Sequence, residues 1–282
     1  MHQKPFYIIG IGVAFSPNLK ANIHESARLS LLFEAKLVLI HVGEKSAQKE
    51  QELDEILQPF VAQHLSYELV FKMGDPVDVI LSISEEKKVD LLILGAVQRE
   101  NFLKYYVGSI ARKITRQANC SILLMIKPSV ERILCDHIVV NGLQDQKTKQ
   151  AIASAFYVGH TLGASKISIV EEIRQQEVAI NVDDDKSLRK ANLLKERIRN
   201  REKSRIEKIV TEIPKEHLEN IVIKSQPIFG KRGYSIGHYA QVVRADLLVM
   251  NAPTKMTFWD RLFPHDIEHI LTELPTDVLI IQ

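Results

Sequence analysis

Short runs of apolar residues alternate with longer amphipathic stretches along the chain. In the first half the apolar runs are FYIIGIGVA from Phe6, AKLVLIHV from Ala35, SYELVFKM from Ser66, VDLLILG from Val89 and SILLMIK from Ser121. The stretches between them have helical spacing and cover residues 18–33, 45–64, 76–87 and 109–118. Buried strands that alternate with amphipathic helices are typical of a parallel sheet covered by helices on both faces. The pattern therefore predicts an α/β fold.

The second half of the chain repeats this order. Its apolar runs are HIVVN from His137, SKISIV from Ser165, NIVIKS from Asn220, ADLLVMN from Ala245 and DVLIIQ from Asp277. Asp90 aligns with Asp246 at a shift of 156 residues, and the same shift aligns Gly95 with Asn251. Because 282 residues also suit two domains better than one, we predict a duplication with domains at residues 1–131 and 132–282.

The second half also carries an additional charged segment, at about residues 183–212. Three aspartates from Asp183 precede a run rich in Lys, Arg, Glu and Leu. Acidic residues at the start of a helix and basic residues further along complement the helix dipole. The segment therefore predicts a long helix from about Lys186 to Thr211. Its apolar stripe is broken, which leaves two interpretations: a mostly solvated surface helix, or an arm that binds a partner.

Charge and cysteine content narrow the class of protein. The 37 Lys and Arg residues are mixed along the chain with 35 Asp and Glu residues, so we expect no binding to nucleic acid or to a membrane surface. Cys120 and Cys135 show neither a disulfide framework nor a zinc pattern, which suits a reducing compartment. The N-terminal residues lack the pattern of a signal peptide, and no apolar run approaches the ~18 residues needed to span a bilayer. We therefore expect a cytoplasmic protein.

The residues that follow the run VDLLILG form a candidate phosphate-binding loop. The run ends in Gly95, and a polar loop then leads to Gly108, Ser109 and a helical pattern. Glycine allows a positive φ and a close approach of a ligand, and a serine at a helix start can cap the helix and donate to a phosphate. The alternative is that the two glycines only permit a tight loop and a helix start.

Several segments together resemble the universal stress protein family: FYIIGIGVAFSPN from Phe6, LIHV ending at Val42, Gly-Asp-Pro from Gly74, and Gly95-x2-Gln98-x9-Gly108-Ser109. ATP-binding members of that family carry G-x2-G-x9-G-(S/T) at the last of these segments. Since both halves fit, the resemblance implies a tandem member with two Rossmann-like, doubly wound domains. Each would have a five-stranded parallel sheet of order 3-2-1-4-5. The resemblance implies these nucleotide-binding positions: Gly12, Ala14, Val42, Gly95, Gln98, Gly108, Ser109 and Ile110.

The chain departs from the family pattern at both ends of this site. Ala14 stands where ATP-binding members have an aspartate that accepts hydrogen bonds from the nucleoside, whereas Val42 keeps a position whose backbone contacts adenine. Gln98 replaces the second glycine and either crowds the phosphates or hydrogen-bonds to them. The second half has Asn251 and Pro264 where the motif has glycines. The resemblance therefore implies weak binding of ATP, with Mg²⁺, in the first domain only.

We expect a stress-response binding and regulatory protein, with no catalytic residues and no protein metal site. One alternative is an enzyme of the same fold, in which Ser109 and Mg²⁺ position ATP for slow hydrolysis or adenylyl transfer. Another is a scaffold that binds no nucleotide. The protein partner is unknown. The apolar runs SILLMIK and TDVLIIQ end their sheets, and an unpaired apolar edge invites aggregation. They are expected to pair with each other, as an intramolecular pseudo-dimer, or with a second chain, as a homodimer.

Two further motifs have ordinary interpretations. His265 and His269 imitate the spacing of zinc proteases, but no third ligand is evident, so we expect surface histidines at a helix start. The segment GKRGYSIGH from Gly230 could hold an anion. It lacks the spacing of a phosphate-binding P-loop, which favours a flexible strand-to-helix loop. Cys120 opens an apolar strand and is expected to act as a small buried hydrophobic residue.

Overall fold

The computed structural model describes residues 4–98, 105–174, 183–231, 233–252 and 266–282. Contacts divide the chain into two units. The first contains Met1–Leu134 together with Leu271–Gln282, and the second contains Cys135–Ile270. The last residues of the chain therefore lie in the first unit, whereas the sequence division places them in a domain at residues 132–282.

The first unit contains a parallel sheet with helices on both faces. Its elements are β1 (Ile8–Val13), α1 (Leu19–Leu32), β2 (Lys36–Val42), α2 (Ala47–Val61), β3 (Tyr67–Lys72), α3 (Pro76–Glu86), β4 (Leu91–Gly95), the short strands β5 (Val97–Gln98) and β6 (Tyr105–Tyr106), α4 (Ser109–Gln117) and β7 (Ser121–Met125). The parallel strands lie in the order β3-β2-β1-β4-β7. This confirms the predicted order 3-2-1-4-5 for this unit.

The second unit repeats this arrangement. Its elements are β8 (His137–Asn141), α5 (Thr148–Leu162), β9 (Lys166–Arg174), α6 (Asp185–Val210), α7 (Lys215–Leu218), β10 (Val222–Gly230), α8 (Tyr234–Val242), β11 (Leu247–Asn251) and the start of α9 (Asp266–Thr272). The four strands are parallel in the order β10-β9-β8-β11. The predicted α/β fold with parallel sheets is thus present in both halves.

The final strand, β12 (Asp277–Ile281), pairs antiparallel with β7. Val278 lies opposite Leu124, and Ile280 lies opposite Ile122. This pairing explains why the last residues belong to the first unit. The predicted pairing of the two terminal apolar runs is confirmed, while the pseudo-dimer and the homodimer remain predictions.

A pair of aspartates shows that the two halves are built alike. Asp90 Oδ2 accepts hydrogen bonds from the N–H groups of Tyr7 and Ile8, both at 2.9 Å. Asp246, at the equivalent place in the second half, accepts from the N–H groups of Asp136 and His137, also at 2.9 Å. In each unit a carboxylate before the fourth strand thus fixes the start of the first strand.

Helix starts follow the sequence signals. Asp75 caps α3, because its Oδ1 accepts hydrogen bonds from the N–H groups of Val77 and Asp78 at 2.9 and 3.3 Å, and Pro76 occupies the first turn. The long charged helix is present as α6, with Asp184 and Ser187 forming a capping box. Most of its side chains are exposed, and the buried ones are Ala191, Ile198, Glu202 and Ile206.

Among the helices of the described part of the chain, none has both the length and the apolar character needed to cross a membrane. Cys120 and Cys135 do not form a disulfide bond. Burial raises the pKa of the Cys120 thiol to about 11, so the reactive thiolate is disfavoured at neutral pH. This supports the interpretation of Cys120 as a small hydrophobic residue.

Candidate functional site

The candidate site lies where the sheet of the first unit changes its direction of winding. β1 pairs with β2 on one side and with β4 on the other, and β4 in turn pairs with β7. In open α/β sheets, ligands bind at the carboxyl ends of the strands at such a switch point. Ala14 follows the end of β1, and Gly95 is the last residue of β4. The structure thus brings these two predicted site residues to one crevice.

Gly95 is exposed at this crevice. A Cβ atom built on it would lie 3.7 Å from Asn22 Oδ1 and 4.0 Å from Asn22 Nδ2, which is ordinary contact distance. Asn22, on α1, has an Oδ1 atom that is shielded from solvent and has no hydrogen-bond partner within the described residues. An unsatisfied buried acceptor costs about 1–3 kcal/mol. A ligand that donates a hydrogen bond here would remove that penalty.

Sequence reasoning missed Asn22. An asparagine inside an amphipathic helix carries no motif, and its proximity to Gly95 depends on the pairing of β1 with β4.

Gly108 and Ser109 begin α4 in a way that differs from the expectation. Gly108 is the N-cap, with φ −61° and ψ 165°, and it offers no side-chain cap. Neither Gly95 nor Gly108 has a positive φ, so backbone conformation does not require a glycine at either position. Ser109 is the first helical residue, and its exposed hydroxyl makes no hydrogen bond within the described part of the chain. The prediction that Ser109 caps the helix is therefore wrong.

The start of α4 remains free to bind an anion. The first helical hydrogen bond runs from Arg112 N–H to Gly108 O at 2.9 Å, so the preceding N–H groups of the first turn have no helical acceptor. Ile110 in this turn is 47% exposed. Unpaired N–H groups, together with the helix dipole, favour a phosphate at this end.

Residues from the end of the chain hold the segment before α4. Val107 N–H donates to Leu271 O at 3.0 Å, and Leu274 N–H donates to Tyr105 O at 2.9 Å. Arg112 Nη2 also donates to Leu271 O, at 3.1 Å. No local pattern predicts these contacts, because 159 residues separate Arg112 from Leu271 in the sequence.

Gln98 pairs through its backbone with Tyr105 in the small hairpin of β5 and β6. Its side chain and residues 99–104 lie outside the described part. Whether Gln98 crowds or binds phosphate therefore stays a prediction.

At the other end of the crevice, a histidine and a lysine lie beside the end of β1. His41 Nδ1 is 3.1 Å from Val13 O, and His41 Nε2 is 3.3 Å from Lys49 Nζ. This pattern fits the tautomer in which Nδ1–H donates to the carbonyl and Nε2 accepts from the ammonium. The ring of Phe15 packs edge-on against His41, with centroids 5.0 Å apart. A cation and aromatic rings thus lie close to Ala14.

The remaining predicted residues have different surroundings. Val42 ends β2 and is half-buried, level with Lys72 of β3. Gly12 lies in β1, where a Cβ atom would come within 3.1 Å of Ile80 Cδ1. Because α3 fills that space, Gly12 permits close packing of helix on strand. Gly43, after β2, has φ +153°, and a Cβ atom there would meet His41 Nε2 at 2.9 Å, so the turn requires glycine.

The equivalent crevice of the second unit is bridged by side chains. Asn251, which aligns with Gly95, donates from Nδ2 to Thr148 Oγ1 at 3.1 Å. Asn141, which takes the place of Ala14, is buried, and its Oδ1 accepts a hydrogen bond from Leu143 N–H at 3.0 Å. Both asparagines are therefore engaged within the fold. The loop at residues 253–265, with Pro264 and His265, lies outside the described residues.

Helix α6 also covers the ends of β8 and β9. Arg205 Nη2 donates to Gly142 O, directly after β8, and lies 3.2 Å from Glu171 Oε2 on β9. Arg205 Nε pairs with Glu202 Oε2 at 2.7 Å, and Arg201 Nε pairs with Glu202 Oε1 at 2.6 Å. Glu171 and Glu202 are only 8% and 2% exposed. The contact of Arg205 with Glu171 is an ion pair without a well-aligned hydrogen bond to Oε2.

The carboxyl groups of Glu171 and Glu202 differ in protonation state. Burial, together with the hydrogen bond to Glu202, raises the pKa of Glu171 to about 8. Burial alone would also raise the pKa of Glu202, but hydrogen bonds from Glu171, Arg205 and Arg201 outweigh it and lower that pKa. At neutral pH, Glu171 is therefore the protonated member and donates to ionised Glu202.

A third buried carboxyl group, that of Glu172, contacts the segment GKRGYSIGH. Glu172, 1% exposed, accepts hydrogen bonds from Gly233 N–H and Ile236 N–H, both at 2.8 Å, at the start of α8. The helix N-terminus therefore already holds an anion, supplied by the chain itself. Arg232 lies outside the described residues.

Within the described ranges, no group of three or more His, Cys, Asp or Glu side chains could hold a metal ion. His269 lies on α9 in these ranges, but its motif partner His265 does not. Any Mg²⁺ that accompanied a nucleotide would be coordinated mainly by phosphate oxygens and water.

The family model and the two relatives that match this chain all name universal stress proteins. A family model described as the universal stress protein family matches residues 6–125. A universal stress protein of Methanocaldococcus jannaschii is 31% identical over 58 residues, which are 21% of this chain and 34% of that protein. One of Methanothermobacter thermautotrophicus is 32% identical over 62 residues, 22% of this chain and 42% of that protein. The chain thus matches less than half the length of either relative.

The fold is similar to that of a solved structure of full length. The crystal structure of a universal stress protein from Archaeoglobus fulgidus covers 98% of this chain and 98% of its own, with a TM-score of 0.68 at 17% identity. At this identity the likeness shows the fold alone. Residues 6–125 match the universal stress protein family, and the two relatives that align with part of the chain are universal stress proteins.

Proposed function

We propose that this chain is a stress-response binding and regulatory protein whose first unit binds an ATP-type nucleotide weakly at the crevice between β1 and β4. The observation that carries the proposal is that the exposed Gly95 lies next to Asn22, whose Oδ1 atom has no hydrogen-bond partner within the described residues. An exposed glycine beside an unsatisfied acceptor at a switch point suits a ligand with hydrogen-bond donors.

The phosphates would lie at the start of α4. The free N–H groups of its first turn and the hydroxyl of Ser109 present donors there, and a charge-assisted hydrogen bond to phosphate is roughly twice as strong as a neutral one. Lys113, exposed on the same helix, adds positive charge. Bound Mg²⁺ would neutralise part of the phosphate charge.

The nucleoside end explains why binding would be weak. Ala14 supplies no acceptor for the sugar hydroxyls, and the charged group that His41 contacts beside the carboxyl end of β1 is the Lys49 ammonium, not a carboxylate. Losing one neutral hydrogen bond costs about 0.5 to 1.5 kcal/mol, or roughly threefold to tenfold in affinity.

The second unit would bind no nucleotide. Its crevice is crossed by the hydrogen bond from Asn251 to Thr148, and the ends of β8 and β9 are covered by Arg205 of α6. A ligand would have to displace both of these contacts. The displacement would separate Glu171 and Glu202 from Arg205.

Calorimetric titration of the full chain with ATP and Mg²⁺ tests this proposal. We expect weak binding with a stoichiometry near one, abolished by Gly108→Arg, which places a long side chain at the start of α4. Ser109→Ala should weaken binding, whereas the matched change Ser204→Ala on exposed α6 should not. A stoichiometry of two, or unchanged binding by Gly108→Arg, would contradict the proposed location.

The regulatory part needs a separate measurement. Cells that lack the protein should regain stress survival with the wild-type gene and not with Gly108→Arg, and purified protein should release no ADP or AMP above the Gly108→Arg control. Nucleotide-dependent product formation would favour the enzyme alternative.

A further inference from the structure

One face of α6 carries a row of seven exposed residues, five of which are cations. At the helical spacing i, i+4, i+7, i+11, i+15, i+18 and i+22, the row consists of Lys186, Lys190, Leu193, Arg197, Arg201, Ser204 and Lys208. All of these side chains are exposed, and none is acidic. With a rise of about 1.5 Å per residue, the row is roughly 33 Å long.

Most of these cations are not neutralised by the fold. The side chains of Lys186, Lys190, Arg197 and Lys208 make no hydrogen bond or ion pair within the described part of the chain. Like charges four residues apart, as at Lys186 and Lys190, destabilise a helix by about 0.2–0.5 kcal/mol per pair. The repulsion between these cations therefore lowers the stability of the helix. A partner of opposite charge would remove this loss of stability.

The opposite face of α6 fixes the helix on the second unit. Arg205 reaches Gly142 O and Glu171, and the Ile206 side chain packs within 3.4 Å of a Cβ atom built at Gly142. Arg199 lies over the ring of Phe229 on β10, 5.8 Å from its centroid. A helix held in this way presents its exposed row with little conformational entropy left to lose on binding.

We propose that this row, Lys186–Lys190–Arg197–Arg201–Lys208, docks an acidic helical segment of a partner protein. A straight row at helical spacing is complementary to a second helix that carries Asp or Glu at the same spacing, as in the salt bridges between paired helices. Leu193, 56% exposed in the middle of the row, offers an apolar contact to the same segment.

The neighbouring charges favour protein over other polyanions. Glu196 and Glu207 are exposed directly beside the row. A partner helix can place Lys or Arg opposite these two acids, whereas the uniformly negative surface of a nucleic acid or an anionic membrane cannot, so a helix is more complementary to this face. Membrane helices also need a broad apolar face in the lipid. In α6 the apolar residues Ala191, Ile198 and Ile206 are buried within the protein.

The test uses the full chain and a fluorescein-labelled acidic peptide. The peptide is a designed helix as long as α6, with Glu at i, i+4, i+11, i+15 and i+22 and a Leu between them. Fluorescence anisotropy compares the wild type with a row variant that combines Lys186→Glu, Lys190→Glu, Arg197→Glu and Lys208→Glu. Arg201 is left unchanged, because it also contacts Glu202.

A control variant changes net charge equally through Arg132→Glu, Lys215→Glu, Lys224→Glu and Lys231→Glu, all exposed positions outside α6.

We expect the wild type and the control variant to bind the peptide with similar affinity, and the row variant to bind at least tenfold more weakly. Circular dichroism confirms that each variant is folded. No binding by the wild type, or equal loss in both variants, would overturn the proposal. Tighter row-dependent binding to a DNA duplex or to phosphatidylserine vesicles would overturn it in favour of that class of partner.

Discussion

The backbone N–H of Val107 donates a hydrogen bond to the carbonyl of Leu271 at 3.0 Å, so the end of the chain holds the segment that leads into α4. Leu274 adds a second backbone bond, to Tyr105 O. The proposed phosphate site in the first half thus depends on residues that follow the whole second half.

Leu274→Pro tests this dependence, because proline removes the N–H that Tyr105 O accepts. Leu274→Ala is the matched control: Leu274 is 3% exposed, so both changes lose its packing, and Leu→Ala in a core costs about 2–5 kcal/mol. We expect Leu274→Pro to raise hydrogen exchange at residues 105–112 and to weaken ATP binding beyond the effect of Leu274→Ala. Identical behaviour of the two variants would show that the backbone bond is unimportant.

Asn22 should affect binding and stability in opposite directions. Asn22→Leu replaces a side chain whose Oδ1 atom is buried without a partner by an apolar one of similar size, so thermal stability should stay the same or rise. ATP affinity should fall by roughly threefold to tenfold, the value of one hydrogen bond. Asn119→Leu, at an exposed position, should leave affinity unchanged. Unaltered affinity in Asn22→Leu would remove Asn22 from the site.

The carboxyl pair Glu171 and Glu202 predicts a loss of stability as pH rises above neutrality. Burial raises the pKa of Glu171 from 4.5 to about 8 in the folded protein. Between these values the folded state keeps a proton that the unfolded state has lost, so the free energy of unfolding falls as pH rises through this window.

Glu171→Gln should abolish most of this dependence, because the amide mimics the neutral carboxyl. We therefore compare the melting temperature of Glu171→Gln with that of the wild type at each pH. The difference, variant minus wild type, should be more positive at pH 8 than at pH 5. Glu207→Gln, at an exposed position on α6, is the control and should not alter the pH profile. Parallel pH profiles of Glu171→Gln and the wild type would mean that Glu171 ionises normally.

Arg205 should be far more important for stability than Arg201. Arg205→Met removes the cation that Glu171 and Glu202 share, and breaking a buried pair costs about 3–5 kcal/mol. Arg201 has a side chain 60% exposed, so Arg201→Met should cost about 1 kcal/mol or less. Urea unfolding measures both values, and equal losses would contradict the assigned role of Arg205.

Hydrogen exchange should show how firmly α6 is held. Its amides are expected to exchange faster than those of β4, because only one face of the helix is buried. Within α6, residues before Ile198 should exchange faster than those around Arg205, where the helix is anchored. Protection equal to that of β4 along all of α6 would show that the helix is packed throughout.

The sequence by itself determined the features that depend on neighbours along the chain. Apolar periodicity predicted the strands and helices, Asp75 and Pro76 marked the start of α3, and the aspartates from Asp183 marked the start of α6. Such signals are local because caps and amphipathic faces join residues within about one helical turn. The internal repeat could also be recognised, and Asp90 and Asp246 make the same contacts in both halves.

Tertiary structure alone decided the contacts between residues far apart in sequence. It set the antiparallel register of β12 on β7 within one chain, set Asn22 beside Gly95, and joined Glu171 to Glu202 and Arg205. None of these residues carries a local pattern that specifies its partner. Each contact follows only when the order of strands in the sheet and the packing of helices on it are fixed, because those relations bring side chains together across the intervening chain.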